Sequence, residues 1–127
     1  MQSKFLKCEN CGLTVHQFDD ENRELTCCGV KLKEMVPNTV EASVEKHIPV
    51  VKIEGNKLYV QVGVVEHPQT PAHFIEWIYV KCGTRTQGIK LTYKDKPVAE
   101  FWGEWSGKVE VQASCNNHGI WLSTILC

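Results

Sequence analysis

Hydrophobic and polar positions alternate in short segments from residue 48 to residue 114. The clearest case follows Gly55-Asn56, where Leu58, Val60 and Val62 are separated by polar residues or tyrosine. A period of two places alternate side chains on one face of a strand, and a Gly-Asn dipeptide favours a tight turn. The pattern predicts strands over the segments 48–54, 57–66, 73–82, 87–93, 98–105 and 108–114. Short strands at this spacing, with no long helical segment, predict an antiparallel β-sandwich.

The first 36 residues have a different character. They contain Cys8, Cys11, Cys27 and Cys28 but few large apolar residues, and chains below about 40 residues usually need a covalent or metal staple to fold. The stretch "VPNTVEAS" from Val36 is interpreted as a linker, because Pro37-Asn38 favours a turn or extended chain. Two domains are therefore predicted, residues 1–36 and 37–127.

Composition narrows the class of protein. The chain has 127 residues, is 43% hydrophobic and 23% charged, and has a net charge of -1, so we expect a globular protein without a basic surface for nucleic acid. No apolar run approaches the roughly 20 residues that span a membrane, and no secretory signal is evident. Seven cysteines in a chain without an export signal favour metal binding over disulfides, and a cytoplasmic location.

The cysteines of the first domain have the spacing of metal ligands. C-x2-C, fifteen intervening residues and the adjacent pair Cys27-Cys28 supply four thiolates for a tetrahedral site, which suits zinc or mononuclear iron. Such a site contributes on the order of 10 kcal/mol to folding. Disulfides or free thiols are the alternative, although adjacent cysteines bridge each other only with strain. Spacing does not choose between the two metals.

Four of the five histidines fall in the second domain. His47, His67 and His73 lie at strand ends or in loops, and Cys115 and His118 form a Cys-x-x-His motif. A single histidine is usually a surface or core residue, and His16 is predicted to be a solvated surface residue. The loops of a sandwich cluster at its two ends, so these side chains can converge. Four imidazoles and one thiolate leave a sixth position open, which suits redox iron better than zinc.

Several segments together resemble desulfoferrodoxin, the two-iron form of superoxide reductase: "FLKCENCG", "LTCCG", "PNTVEASVEKHIPVV", "VGVVEHPQTPAHFIEWI" and "CNNHGIW". The resemblance covers nearly the whole chain. It implies a small desulforedoxin-like domain followed by an immunoglobulin-like antiparallel β-sandwich. It also implies two non-haem iron ions. The first would be bound by Cys8, Cys11, Cys27 and Cys28; the second would have His47, His67, His73 and His118 in a plane with Cys115 axial.

The resemblance further implies an activity, the one-electron reduction of superoxide to hydrogen peroxide. Electrons would come from rubredoxin or a similar carrier, in an anaerobe or microaerophile, and the protein would be a homodimer. The family pattern gives catalytic interest to Glu45 and Lys46 in "EKH". Lys46 would attract the superoxide anion, and Glu45 would fill the sixth position of the resting ferric iron.

Two other classes of protein remain open at this point. A zinc-ribbon-like module fused to an immunoglobulin-like binding domain would explain the four cysteines, and a pure electron carrier would explain one iron site. Outside the proposed ligands, Cys82 is predicted to be a buried small side chain and Cys127 a free thiol, with a labile disulfide as the alternative. Trp77 and Trp121 are predicted to pack in the core and shield the site. Trp102 and Trp105 are predicted to pack in the sandwich.

Overall fold

The computed structural model describes residues 3–39, 47–63 and 67–127, and the chain divides into two compact units, residues 1–36 and 37–127. The strands of the first unit are β1 (Lys4–Lys7), β2 (Thr14–Gln17), β3 (Thr26–Cys27), β4 (Val30–Lys31) and β5 (Lys33–Met35). Those of the second are β6 (Pro49–Glu54), β7 (Lys57–Val62), β8 (Ile75–Cys82), β9 (Arg85–Lys90), β10 (Val98–Trp102), β11 (Lys108–Cys115) and β12 (Gly119–Leu126). None of the described residues forms a helix, so none belongs to a helix that could cross a membrane.

In the described part of the first unit, Phe5 is buried and a separate apolar cluster is small. Strands β2, β1 and β5 pair in that order, and β3 and β4 form a separate antiparallel ribbon. The buried apolar side chains of this cluster are Leu6, Cys8 and Leu32, with Val15 and Cys27 packed against them. Two of these five side chains are cysteines, so hydrophobic burial alone gives the unit little stability.

The second unit is the predicted antiparallel sandwich. One sheet has the strand order β10-β7-β6 and the other β12-β11-β8-β9 in the described residues. Alternate residues point inward, as period-two patterning requires: Leu58 and Val60 on β7 share one core with Val109 and Val111 on β11. The core of the sandwich lies between the two sheets and ends at Cys115, which is fully buried.

The strands predicted over 87–93 and 98–105 have other bounds, β9 being Arg85–Lys90 and β10 Val98–Trp102. Two further features of the sandwich differ from the sequence-based prediction. Strand β12 was not predicted, because Ile120, Trp121 and Leu122 form a continuous apolar run in which no alternation is visible. The start of the predicted linker is also ordered. Asn38 makes an isolated parallel bridge with Trp121, donating its backbone N–H to Ile120 O at 2.9 Å. Residues 40–43 of the predicted linker lie outside the described residues.

Some predictions for individual side chains were wrong. Trp102 does not pack in the sandwich: it is 61% exposed, because Phe101 takes the inward position on β10. His16 is half-buried rather than solvated, and its ring stacks on Phe5 with centroids 4.8 Å apart. Cys82 is only half-buried, and its thiol donates to Ser106 O at 3.3 Å. The predictions for Trp105, which packs against the core, and for Cys127, an exposed free thiol, are confirmed.

Candidate metal centres

The four cysteines of the first unit form one cluster, with all four Sγ atoms within 4.8 Å of one another. Cys11 Sγ lies 3.6 Å from Cys27 Sγ, which lies 3.7 Å from Cys28 Sγ. A tetrahedral site with metal–sulfur bonds of about 2.3 Å has sulfur–sulfur edges of about 3.8 Å. The thiols are therefore arranged as a four-coordinate metal requires.

Two turns position these thiols. After Cys8, Gly12 adopts φ +82° and donates its N–H to Cys8 O at 2.8 Å, which closes the C-x2-C turn. Cys28 and Gly29 form the two-residue loop between β3 and β4, with φ of +56° and +73°. Such loops favour asparagine or glycine at both positions. A cysteine at positive φ raises the energy of the backbone by about 1–2 kcal/mol. The turn itself would favour another residue at position 28, and the thiol of Cys28 explains why a cysteine is found there.

The protonation of the cluster is uneven. The backbone N–H group of Cys11 has the largest effect on the Cys8 thiol; burial opposes it, the Asn10 N–H adds to it, and the pKa of Cys8 is lowered to about 7. Hydrogen bonding with the Cys11, Cys8 and Cys28 sulfurs raises the pKa of Cys27 to about 12. Without a cation, the sulfurs share protons, and only a bound cation would favour the ionisation of all four together.

The second cluster combines buried and accessible donors. His47, His67 and Cys115 are buried, His73 is half-buried, and His118 is exposed. The ligand atoms of His47, His67, His73 and Cys115 all lie within 4.8 Å of one another. His118 Nδ1 completes the group, because it lies 3.2 Å from His47 Nε2 and 3.5 Å from Cys115 Sγ. Donor atoms this close can bind a single ion.

The four imidazole rings form a closed four-sided arrangement in the order His47, His67, His73, His118. Neighbouring ring centroids are 4.8, 4.6, 4.9 and 4.9 Å apart around this circuit, whereas the His47–His73 diagonal is 6.3 Å. A tetrahedral arrangement would make all these separations similar. The longer His47–His73 diagonal departs from that pattern, so the four rings surround a common centre in the order of the circuit and not as a regular tetrahedron.

The Cys-x-x-His spacing follows from a hairpin. Cys115 ends β11 and pairs with Gly119 at the start of β12, so residues 116–118 form a three-residue loop. Gly119, the first residue of β12, has φ +78°, a left-handed conformation that glycine adopts at little steric cost. The turn returns His118 beside Cys115, which explains why a thiol and an imidazole three residues apart can share one site.

Neighbouring groups orient the imidazoles. His67 Nδ1 lies 2.7 Å from Pro68 O; since a carbonyl only accepts, Nδ1 carries the proton and Nε2 keeps its lone pair for a metal. The indole of Trp121 stacks on His47 with centroids 4.6 Å apart and 14° between the planes. Trp121 therefore packs and shields the site as predicted, whereas Trp77 is half-buried on β8 opposite Ser114.

The two residues given catalytic interest, Glu45 and Lys46, lie outside the described residues. Sequence reasoning also missed a supporting residue, Gln69. Its Oε1 accepts from Ile75 N at 2.7 Å, and its Nε2 donates to Asp95 O at 3.0 Å. Gln69 thus joins the loop that carries His67 and His73 to β8 and to the turn before β10. The sequence feature that could have identified Gln69 is its position between the candidate ligands His67 and His73.

The fold and the donor clusters define a class, a β-protein with one all-thiol and one imidazole-rich metal-binding cluster. The desulfoferrodoxin family profile matches residues 39–124. Desulfoferrodoxin of Clostridium acetobutylicum is 42% identical over 117 residues, covering 92% of each chain. The desulfoferrodoxin homologue of Archaeoglobus fulgidus is also 42% identical over 117 residues, covering 92% of this chain and 93% of the homologue.

Solved structures agree with these relatives. The superoxide reductase of Treponema pallidum superposes with a TM-score of 0.82 at 27% identity, covering 96% of this chain and 98% of that one. A one-iron superoxide reductase of Giardia intestinalis has a TM-score of 0.60 at 28% identity, covering 65% of this chain and 99% of its own. The chain belongs to the desulfoferrodoxin family, as its sequence motifs predicted, and it is an oxidoreductase.

Proposed function

We propose that this protein is a superoxide reductase, which adds one electron and two protons to superoxide to give hydrogen peroxide. The active site would be an iron ion bound by the four imidazoles and Cys115. The observation that carries the proposal is the four-sided arrangement of imidazole rings with a buried thiol 3.5 Å from one of them. Solved superoxide reductases of similar fold support the same assignment.

The donor set fits iron better than zinc. Structural zinc sites take four tetrahedral ligands, whereas four imidazoles and a thiolate would give an ion five ligands and leave room for substrate, which suits a redox metal. Iron bound there would supply the electron and a site for the anion. Neutral imidazoles would leave that site with net positive charge, which favours an anionic substrate, and Cys115 as a thiolate would increase the electron density available for transfer.

The imidazole cluster extends from the buried core to the surface, so protons from water can reach one side of it. The buried side of the cluster, from which water is excluded, consists of His47, His67 and Cys115. His118 is exposed and lies on the solvent side. Water at this side would deliver the two protons that the product requires. We further propose that Lys46, next to His47 in the sequence, attracts superoxide through its positive charge. Glu45 would occupy the open position in the resting oxidised protein.

The remaining proposals concern the two domains, the electron donor and the setting in which the protein works. We propose that residues 1–36 are a desulforedoxin-like domain that binds a second iron through Cys8, Cys11, Cys27 and Cys28. Residues 37–127 would be the superoxide reductase domain. A rubredoxin-type carrier would supply the electrons. We also propose that the protein is a cytoplasmic homodimer that removes superoxide in an anaerobe or microaerophile.

Metal content and kinetics of single variants test the proposal. Elemental analysis of the parent is expected to give about two iron atoms per chain. Cys8→Ser should lose one of them and still reduce superoxide in pulse radiolysis, because the two clusters bind separately. Cys127→Ser, an exposed thiol outside both clusters, serves as the matched control and should keep both irons. A Cys8→Ser variant that loses both irons, or a parent that does not produce peroxide from superoxide, would contradict the proposal.

A further inference from the structure

The hairpin loop between β11 and β12 contains two asparagines that reach across to the segment carrying His73. Asn116 Oδ1 accepts from Phe74 N at 2.9 Å, and Asn116 Nδ2 donates to Ala72 O at 3.0 Å. Asn117 Nδ2 donates to the same Ala72 carbonyl at 3.0 Å. The bonded groups belong to the residues directly before and after His73.

The Asn116 side chain acts here as a substitute for main chain. The β11–β8 ladder shifts register between Ser114 and Cys115 and then pairs Cys115 with Ile75. One more main-chain bond follows, from Asn116 N to Phe74 O at 3.1 Å. The return bond from Phe74 N goes to the Asn116 side-chain carbonyl rather than to a backbone carbonyl. The ladder is thereby completed while the backbone is already turning toward His118.

We propose that Asn116 is a positioning residue, which fixes the distance between His73 on its loop and Cys115 at the end of β11. The inference rests on the proposed function only in assuming that an ion binds between these two donors. Thr70 also holds His73, through N–H···O bonds of 2.9 and 3.0 Å, but Thr70 belongs to the same loop and moves with it. Asn116 instead joins that loop to the strand that carries the thiol. Asn117 supports the same contact through Ala72.

The chemistry of the side chain explains why an amide occupies this position. Phe74 N requires an acceptor and Ala72 O requires a donor, and the planar amide of asparagine offers both at once. A carboxylate at residue 116 would keep the first bond and lose the second. Groups that orient metal ligands from outside the ligand set commonly change metal affinity or activity by 10- to 100-fold when removed. The structure therefore predicts an effect on the ion without any contact between Asn116 and the ion.

Four variants of the iron-loaded 127-residue chain test this proposal: Asn116→Ala, Asn116→Asp, Asn117→Ala and the control Gln87→Ala. The control removes a comparable amide-to-carbonyl bond, from Gln87 Nε2 to Trp102 O at 3.1 Å, between β9 and β10. Iron loss to a chelator is followed separately for the two clusters by their visible absorption. Asn116→Ala should speed iron loss from the imidazole cluster by on the order of tenfold. Asn117→Ala and Asn116→Asp should have smaller effects. Gln87→Ala should match the parent, and the four-cysteine cluster should lose iron at the parent rate throughout.

A second measurement needs no metal. Hydrogen exchange at Phe74 N–H in the iron-free protein should become faster in Asn116→Ala but not in Asn116→Asp, which keeps the acceptor. If Asn116→Ala exposes this N–H while iron loss and absorption stay equal to those of Gln87→Ala, the positioning proposal is wrong. It is also wrong if Asn116→Ala does not fold and both milder variants behave as the parent. A parent that binds iron at this cluster but does not reduce superoxide would instead contradict the proposed function and leave these comparisons valid.

Discussion

Replacing Gly119 with alanine separates the backbone requirement of the ligand hairpin from its packing. Gly119 has φ +78°, and a Cβ built on it would lie 3.7 Å from Asn38 Nδ2, an ordinary contact. The cost is therefore backbone strain rather than a clash, about 1–2 kcal/mol for a left-handed residue with a side chain. This lowers the folding equilibrium constant by roughly 5- to 30-fold. It should also displace His118 relative to Cys115 and so weaken metal binding.

Gly107→Ala provides the matched comparison, because Gly107 has φ +74° and a Cβ added there would have nothing within 4 Å. Urea unfolding of the iron-free proteins, followed by tryptophan fluorescence, measures the free energy of unfolding of both variants. The signal reports on the second unit, because the tryptophans at 77, 102, 105 and 121 all lie there. Both variants should lose similar stability, while only Gly119→Ala should change the absorption of the imidazole-bound iron. Parent-like stability of Gly119→Ala would refute the strain argument. Equal absorption of the two variants would refute the link to the site.

Three further predictions concern the ligand thiol, the substrate and the first unit. Cys115→Ser should remove the blue-to-green absorption of the oxidised protein and most activity, because a hydroxyl is a poor iron ligand; the spectrum of the four-cysteine site should persist, and full activity would exclude a ligand role for the thiol. A unit charge about 6 Å from superoxide contributes roughly 0.7–2.8 kcal/mol, so Lys46→Ala should slow the bimolecular step about tenfold. Pulse radiolysis over a salt series should also show a weaker ionic-strength dependence for this variant, and equal rates and slopes would contradict the role of the lysine. Hydrogen bonds from Arg23 and then Gln17 lower the pKa of Asp19 to about 2. The ionised Asp19 carboxylate therefore stabilises the fold fully above the unfolded pKa near 4, and this stabilisation is lost as the pH falls through 2. An NMR titration of the Asp19 carboxyl with a midpoint near 4 would disprove this.

The strands of the sandwich were predictable to the extent that burial alternates along them. Leu58 and Val60 indicate β7 because one face of that strand is buried and the other is not. Strand β11 is buried on both faces from Val109 to Cys115, yet polar residues at Glu110, Gln112 and Ser114 preserve its alternation. Strand β12 lacks this feature at its start and was missed. Trp102 was misplaced because size suggests burial, although its register position on β10 points it away from Phe101 and the core.

The donors were easier to recognise than their arrangement. Residue type and spacing identify the thiols at Cys8 and Cys11, since a C-x2-C turn determines its own geometry. His47 and His118 lie 71 positions apart and precede strands of two different sheets, β6 and β12, so their approach depends on the packing of the sandwich, which local patterns do not encode. Resemblance to a known family, rather than spacing, suggested the planar imidazole set. The position of Gln69 between His67 and His73 indicated a supporting role, but its amide contacts with Ile75 and Asp95 were not predictable from that position.

The difference in sequence span between the two clusters has a consequence for biosynthesis. The four thiols fall within residues 8–28, whereas the imidazole cluster draws on residues 47–118 and on a hairpin between the last two strands of the sandwich. During translation the cysteine cluster can therefore capture a metal while the sandwich is still unmade. The second cluster has no competent precursor until β11 and β12 have paired. The two proposed metal ions would thus be acquired at different stages, the first during translation and the second only after the sandwich has folded.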